Sequence, residues 1–493
     1  MMQLTEPFAS ALIVAGFGLL LVLAVTFSRT SARLGVPLAI GFLLIGVLAG
    51  SEGIGQIPFE DYHLTFQIGV AALVLILFDG GLNTPAAALR ETGAPAAVLA
   101  TVGVALTAIA TGAAAHAFGF GWPLGLLLGA IVSSTDAAAV FSTLAASGTH
   151  LKRRVAHLLE VESGLNDPMA VILTTALTAN LLHPGSESPG GMLVMVVAEL
   201  AIGGACGYAI GALGRWRMSR LRLPVPGLYP AFTLGVACLA YGIPTLLHGS
   251  GFLSVYVAAV TLGSGPIPYA AGVRRVHDAL GWLSQILMFL LLGMLVFPSR
   301  LFAVAGVGFA VALALAFVAR PLVVALCLLP FRFPRDETLY VGWVGLRGAV
   351  PIVLATIPVL AGAPGARGLF DVVFFVVLVG SILPGATVPW VTRKLKLQAS
   401  RAATPTTMVA METPKGLMEL QSFFIEAELA VAGASVDSLP LPSGAAVTMI
   451  DRAGTMIPSL PGTVLEPGDH AYILYPREAE AEIKLLFGPP DFH

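Results

Sequence analysis

Ser163, Asn166 and Asp167 in EVESGLNDPMAVILT have the types and spacing to hold a small cation. At about 100° per residue, Ser163 and Asp167 are helical neighbours with Asn166 beside them, so a hydroxyl, an amide carbonyl and a carboxylate share one side. These are hard oxygen donors suited to an alkali cation, and the carboxylate can also take a proton. Glu162 projects about 140° from Asp167 and belongs to a different contact. Two further clusters interrupt apolar sequence: Ser133-Ser134-Thr135-Asp136 in GAIVSSTDAAAVF, and Arg347 bracketed by Gly345, Gly348 and Pro351 in GWVGLRGAVPIVL. Both read as interrupted helices whose freed carbonyls can face a cavity. Asp79, Glu160, Glu199 and Arg320 complete the ionisable groups inside apolar blocks. Each such charge costs about 2.5–3.5 kcal/mol near a bilayer centre, so each marks either a functional site or a pair. Asp136, Glu160, Glu162 and Asp167 fall in two consecutive blocks, which favours an ion or proton pathway. Asp79 reads either as an accessory acid at an inner mouth or as a helix-end charge, Glu160 and Glu199 as partners or interfacial groups.

The elements that must position these groups follow from composition. Of 493 residues, 57% are hydrophobic and 11% charged, with a mean hydropathy of +0.88, whereas a soluble domain carries roughly 25% charged residues. A soluble enzyme, a disulfide scaffold and a nucleic-acid binder are poor fits. Apolar blocks between residues 8 and 391 give about thirteen candidate bilayer spans, the second (36–50) and ninth (250–265) of them short and Gly-rich. The first lacks a basic flank and reads as a retained span. Cys206, Cys238 and Cys327 sit in apolar blocks without metal-ligand spacing and read as packing residues. The interrupted blocks, 121–145 and 338–362, are fifth and twelfth, a separation expected of inverted repeats with crossing broken helices. Alternate loops and the segment after the last span hold eighteen basic residues against two in the others. The N-terminus is therefore expected outside and the C-terminus in the cytoplasm.

Charge divides the chain. Through Arg401 the net charge is +6, and beyond it −8. We expect a membrane domain over 1–395, a linker over 396–418 and a small α+β cytoplasmic domain over 419–493. In the last, FFIEAELAV, AAVTMIDRAGTMIPS and HAYILYP carry strand signals, and EAEAEIKLLFG a helical one. A Gly-rich nucleotide fingerprint does not precede it.

SSTDAAAV, EVESGLNDPMAV and VGLRGAVPIVLA, in this order, resemble the monovalent cation:proton antiporter family, and most closely its NhaP-like, cell-volume-regulation potassium/proton branch. LILFDGGLNT around Asp79 resembles that branch too. The resemblance implies a sodium/proton-antiporter fold, a homodimer, and a six-helix core that moves as an elevator. It implies that Asp167 binds ion and proton beside Asn166, that Thr135, Asp136 and Ser163 complete the site, and that the cation meets Asp167, Ser163 and Thr135. Glu162 would pair with Arg320, and Arg347 would serve near the second broken helix. Thr135-Asp136-Ala137 stands where the family has Thr-Asp-Pro. LPLPSGAAVTMIDRAGTMIPSLPGTVLEPGDHAYIL resembles the TrkA-C subdomain of regulators of potassium conductance.

One carboxylate shared by cation and proton implies antiport, and one titratable group implies electroneutral exchange. The expected function is exchange of K⁺ for H⁺ across a bacterial inner membrane, serving pH and volume homeostasis. Na⁺/H⁺ exchange is the alternative, and a tail-gated channel a third. No enzyme chemistry and no cofactor are expected. The expected partners are membrane lipid, a second copy, and a small-molecule, nucleotide or protein regulator of the tail; nucleic acid is not among them.

Overall fold

The computed structural model describes residues 7–33, 37–185, 188–221, 223–265, 267–399, 409–413, 416–425, 429, 431–452 and 454–487. They form two units, 1–399 and 400–493.

The first unit is helical. Its opening spans are α1 (Phe8–Arg33), α2 (Leu38–Ala49) and α3 (Tyr62–Asn83). The fourth joins α4 (Ala86–Val98) to α5 (Val104–Ala117) through a π-helical turn at Leu99–Gly103. The fifth is broken into α6 (Trp122–Ile131) and α7 (Ala137–Ala146). Then come α8 (Arg153–Leu182), α9 (Pro189–Arg220), α10 (Leu228–Leu246), α11 (Gly251–Gly263) and α12 (Ala270–Met294). The eleventh span joins α13 (Pro298–Ala314) to α14 (Arg320–Leu328) through a second π turn, Leu315–Ala319. The twelfth is broken into α15 (Arg335–Trp343) and α16 (Val350–Leu360), and α17 (Ala366–Lys394) is the last. Thirteen passes result among the described residues. Breaks recur in the fifth and twelfth and π turns in the fourth and eleventh, so both irregularities repeat at the same separation. That is the signature of inverted repeats.

Local chemistry sets several ends. Asp61 accepts the Leu64 amide at 2.9 Å to start α3, and Ser188 caps α9 through Gly191 at 3.0 Å. Glu52 takes the Ser299 amide (2.9 Å) and hydroxyl (2.6 Å) at the start of α13. Those two bonds hold its carboxyl below the ordinary range. Pro168 lies inside α8 without ending it; its missing N–H leaves the Gly164 carbonyl without the usual helical donor.

Small residues bring helices together. Gly203, Gly207 and Gly211 form a one-turn stripe on α9, and a Cβ on any of them would lie 2.5 Å from the carbonyl oxygen of Ser250, Ser254 or Ala258. In a bilayer, where apolar burial between helices gains little, such close packing is what holds them. α1–α3 and α9–α12 make one bundle, α4–α8 and α13–α17 another. Between them, Gly69 of α3 meets Val353 of α16, and Gly164 of α8 meets the ring of Tyr256 of α11.

The second unit is an antiparallel sheet, ordered β1-β2-β5-β3-β4. Its strands are β1 (Val409–Thr413), β2 (Gly416–Phe424), β3 (Ala446–Arg452), β4 (Thr455–Pro458) and β5 (His470–Pro476), followed by a helix, α18 (Glu480–Phe487). Phe423, Ile450, Ile473, Ile483 and Phe487 share its core. Arg452 clasps both oxygens of buried Asp469, at 2.9 and 2.8 Å. Gly454, at φ 86°, closes the β3–β4 hairpin. Two expectations are corrected. The interval 396–418 contains β1 and the start of β2, so it is not all linker. The strand expected in FFIEAELAV ends at Phe424 and begins earlier, at Gly416. β1 is an edge strand held through backbone pairing with β2 alone, which demands little side-chain alternation.

Candidate functional site

The breaks of the fifth and twelfth spans cross, and backbone meets backbone there: the Asp136 amide donates to the Leu346 carbonyl at 2.8 Å. Asp136 caps α7, accepting the Ala139 amide at 3.2 Å. Arg347 donates from Nε to the Val132 carbonyl at 3.1 Å, just past the end of α6, and from Nη1 to the Gly345 carbonyl. An anion thus faces the positive end of one half-helix and a cation the negative end of the other. Gly348 makes the crossing possible, since a Cβ there would lie 2.8 Å from Asp136 Cγ. Gly348→Ala should lower stability by about 1–3 kcal/mol, as overpacking does. Gly368→Ala, where nothing lies within 4 Å, should be harmless. Thermal melting in detergent compares the two; equal melting points would refute this account of Gly348.

α8 lies against the crossing. Ser163 Oγ accepts the Ala137 amide (3.2 Å) and donates to the Thr135 carbonyl (3.1 Å). Asn166 donates from Nδ2 to Thr135 Oγ1 at 2.7 Å, while its own Oδ1 is buried without a partner. Asp167 takes the Ser134 hydroxyl on Oδ1 at 2.6 Å. The five expected site residues therefore gather at one place, but in two parts. Thr135, Ser163 and Asn166 bond to one another and, with Asp136 capping α7, brace the break. Asp167, 6% exposed, has Ser134 as its hydrogen-bond partner among the described residues. In sequence nothing sets Ser134 apart from Ser133 within the polar run.

A cavity of 480 Å³ reaches Asp167, Asp136 and Ser163. It extends to the Asn83 end of α3, to Ala145 on α7 and to Asp278 near the start of α12. Asp79 and Glu160 line it; Asn83 donates to Asp79 at 3.0 Å. Glu199 lies elsewhere, on α9, where its carbonyl accepts the Ser250 amide. Asp278 and Tyr256 also line the cavity and were not anticipated. Asp278 follows Arg274 and Arg275 and reads in sequence as a loop-end charge.

Glu162 turns away from the cavity. It accepts from Arg320 Nη2 at 2.6 Å, and both residues are 1% exposed. Gly345 lies against both guanidinium groups, and a Cβ there would be 2.8 Å from Arg320 Nε. Around the crossing, Glu162 pairs with Arg320, Arg347 is spent on backbone carbonyls and Asp136 caps α7, while Asp167 has no cationic partner among the described residues.

Residues 18–394 match the transmembrane sodium/hydrogen exchanger family. The chain belongs to that family. This exchanger is thus a multi-pass membrane transporter and not an enzyme, and its residues 420–488 match the TrkA-C domain. It is 40% identical over 460 residues to the K(+)/H(+) antiporter NhaP of Alkalimonas amylolytica, covering 93% of this chain and 80% of that one. It is 39% identical over 473 residues to the K(+)/H(+) antiporter NhaP2 of Shewanella oneidensis, covering 95% and 82%. In fold the exchanger is similar to the sodium proton antiporter MjNhaP1 of Methanocaldococcus jannaschii, with a TM-score of 0.68 at 24% identity, over 78% of this chain and 98% of that one.

Proposed function

We propose that this exchanger trades K⁺ for H⁺ at Asp167. The observation that carries the reading is a cavity of aqueous size that reaches Asp167, a buried carboxylate whose negative charge has no cationic partner among the described residues. A single proton or a single monovalent cation neutralises that charge. Either ligand lets the site move through apolar surroundings, whereas the empty, charged site stays behind. Transport in each direction then requires a passenger, and exchange is one for one and electroneutral. Asn166 Oδ1 and Asp167 supply hard oxygen near the cavity end. Ser163 and Thr135 also hold the break, Ser163 through the Thr135 carbonyl and the Ala137 amide and Thr135 through Asn166, and each oxygen keeps a lone pair for a cation.

The choice of K⁺ rests on the similarity to antiporters named for that ion and on the TrkA-C-like domain. The moving body is the bundle α4–α8 with α13–α17, sliding as an elevator against the other. A homodimer is the assembly that the family resemblance implies. The asymmetry of the basic loops supports an N-terminus outside a bacterial inner membrane and a C-terminus in the cytoplasm, where the tail would take a small-molecule, nucleotide or protein regulator.

The test is proton movement in vesicles holding the purified protein, driven in turn by K⁺, Na⁺, Li⁺ and Rb⁺ gradients. K⁺ should drive the largest proton flux without net current. Equal or larger flux with Na⁺ would make this a sodium exchanger. Cation flux without proton movement would make it a channel.

A further inference from the structure

Each break leaves a backbone carbonyl that its own half-helix does not serve, and a serine from the next span serves it. In the fifth span the carbonyl is that of Thr135. The amide four residues on, Ala139, is taken by the Asp136 carboxylate at 3.2 Å, and the Ser163 hydroxyl of α8 donates to Thr135 at 3.1 Å. In the twelfth span the carbonyl is that of Arg347. Four residues on stands Pro351, which has no N–H to give, and the Ser381 hydroxyl of α17 donates at 3.0 Å. α8 and α17 are the sixth and thirteenth spans, so the two serines keep the separation of the breaks themselves. They differ in what they face: Ser163 lines the cavity, whereas Ser381, 7% exposed, does not. Farther along α17, Thr387 accepts the Trp343 indole N–H at 2.8 Å, and Thr392 pairs with the Tyr340 hydroxyl at 2.9 Å. Ser381 is the rung of this ladder that reaches the crossing.

We propose that Ser381 is a positioning residue for cation binding, acting on Asp167 through Arg347. This rests on the antiport reading above. The Arg347 backbone lies between Gly345 and Gly348, where the chain is least restrained, and a buried carbonyl without a donor is costly. Without the serine hydroxyl that peptide turns to find another donor. The guanidinium, which donates to the Val132 carbonyl at 3.1 Å, turns with it. Val132 lies two residues before Ser134, whose hydroxyl holds Asp167 Oδ1 at 2.6 Å. Three hydrogen bonds and two short stretches of backbone therefore join Ser381 to the carboxylate. Ser381 itself touches neither the cation nor the proton.

The experiment measures K⁺-driven proton exchange in vesicles at alkaline pH, where protons compete least for Asp167, together with melting in detergent. Ser381→Ala should raise the half-saturating K⁺ concentration by about three- to tenfold, the worth of one hydrogen bond, because a smaller fraction of the protein holds the binding geometry. Saturating K⁺ restores that geometry, so the maximal rate should stay within about twofold. Ser381→Thr keeps the donor and should return half-saturation to within about twofold of the parent. Thr387→Val breaks the neighbouring rung and should lower the melting temperature without moving half-saturation. An unchanged half-saturation in Ser381→Ala, with or without a lower maximal rate, would overturn the proposal. So would an equal rise in Thr387→Val, or a Thr variant that melts like the parent yet binds as weakly as Ala. Should Ser381→Thr fold poorly, the comparison of Ser381→Ala with Thr387→Val decides alone. If the unmodified protein exchanges no protons for K⁺, the antiport reading fails first, and the two failures are separable.

Discussion

Asp167→Asn should reduce cation-coupled proton exchange to the level of empty vesicles, while the protein inserts and melts normally. The amide has the shape of the carboxylate and can still accept the Ser134 hydroxyl through Oδ1, now seen at 2.6 Å. What it loses is the charge that draws the cation and the site that takes the proton. Proton flux under each cation gradient and melting in detergent are the two measurements needed. Proton-coupled exchange surviving in Asp167→Asn would move the chemistry to another acid of the cavity, with Glu160 and Asp79 next in line.

The largest stability effect should come from the pair that stays out of the cavity. Glu162 and Arg320 meet at 2.6 Å, each 1% exposed. Removing one partner strands the other as an unpaired charge in a low-dielectric core, at a cost of about 3–5 kcal/mol. Glu162→Gln and Arg320→Gln should therefore each express poorly or melt far below the parent. The double change removes both charges and should recover most of the loss. Melting of all four proteins decides the matter; additive destabilisation in the double variant would mean the pair does not hold the core in this way. Among the described residues Glu162 Oε2 and Arg320 Nε lack partners, so the bond between the two side chains carries most of their mutual compensation.

The sequence makes parts of this site legible and hides others for physical reasons. Helical period alone puts Ser163, Asn166 and Asp167 on one side of α8, because that rule needs only the local geometry of one helix. It also turns Glu162 away, as the structure places it. Local geometry does not say what Ser163 faces. Its hydroxyl is spent on the Thr135 carbonyl and the Ala137 amide, a tertiary fact set by the neighbouring break. The pairing of Asp136 with Gly348 and of Arg347 with Val132 joins segments about two hundred residues apart, beyond any spacing rule. Asp278 escapes because only two residues separate it from a pair of arginines, and a charge so close to a basic loop looks solvated. The thirteen passes were legible because bilayer thickness demands long apolar blocks. β1 was not, since an edge strand needs only its backbone to pair.

The π turn at Leu315–Ala319 has a consequence for Arg320, which follows it directly. A π turn takes in one more residue than an α turn, so everything after it is rotated by about 100° relative to an uninterrupted helix. Arg320 points to Glu162 only in that rotated phase. Losing a single residue anywhere in the turn would restore regular winding and swing the guanidinium off its partner, although no charged residue had changed. The counterpart turn at Leu99–Gly103 sets the phase of α5 in the same way. For these two spans chain length is itself a specification, and one codon more or fewer there is a heavier change than most substitutions.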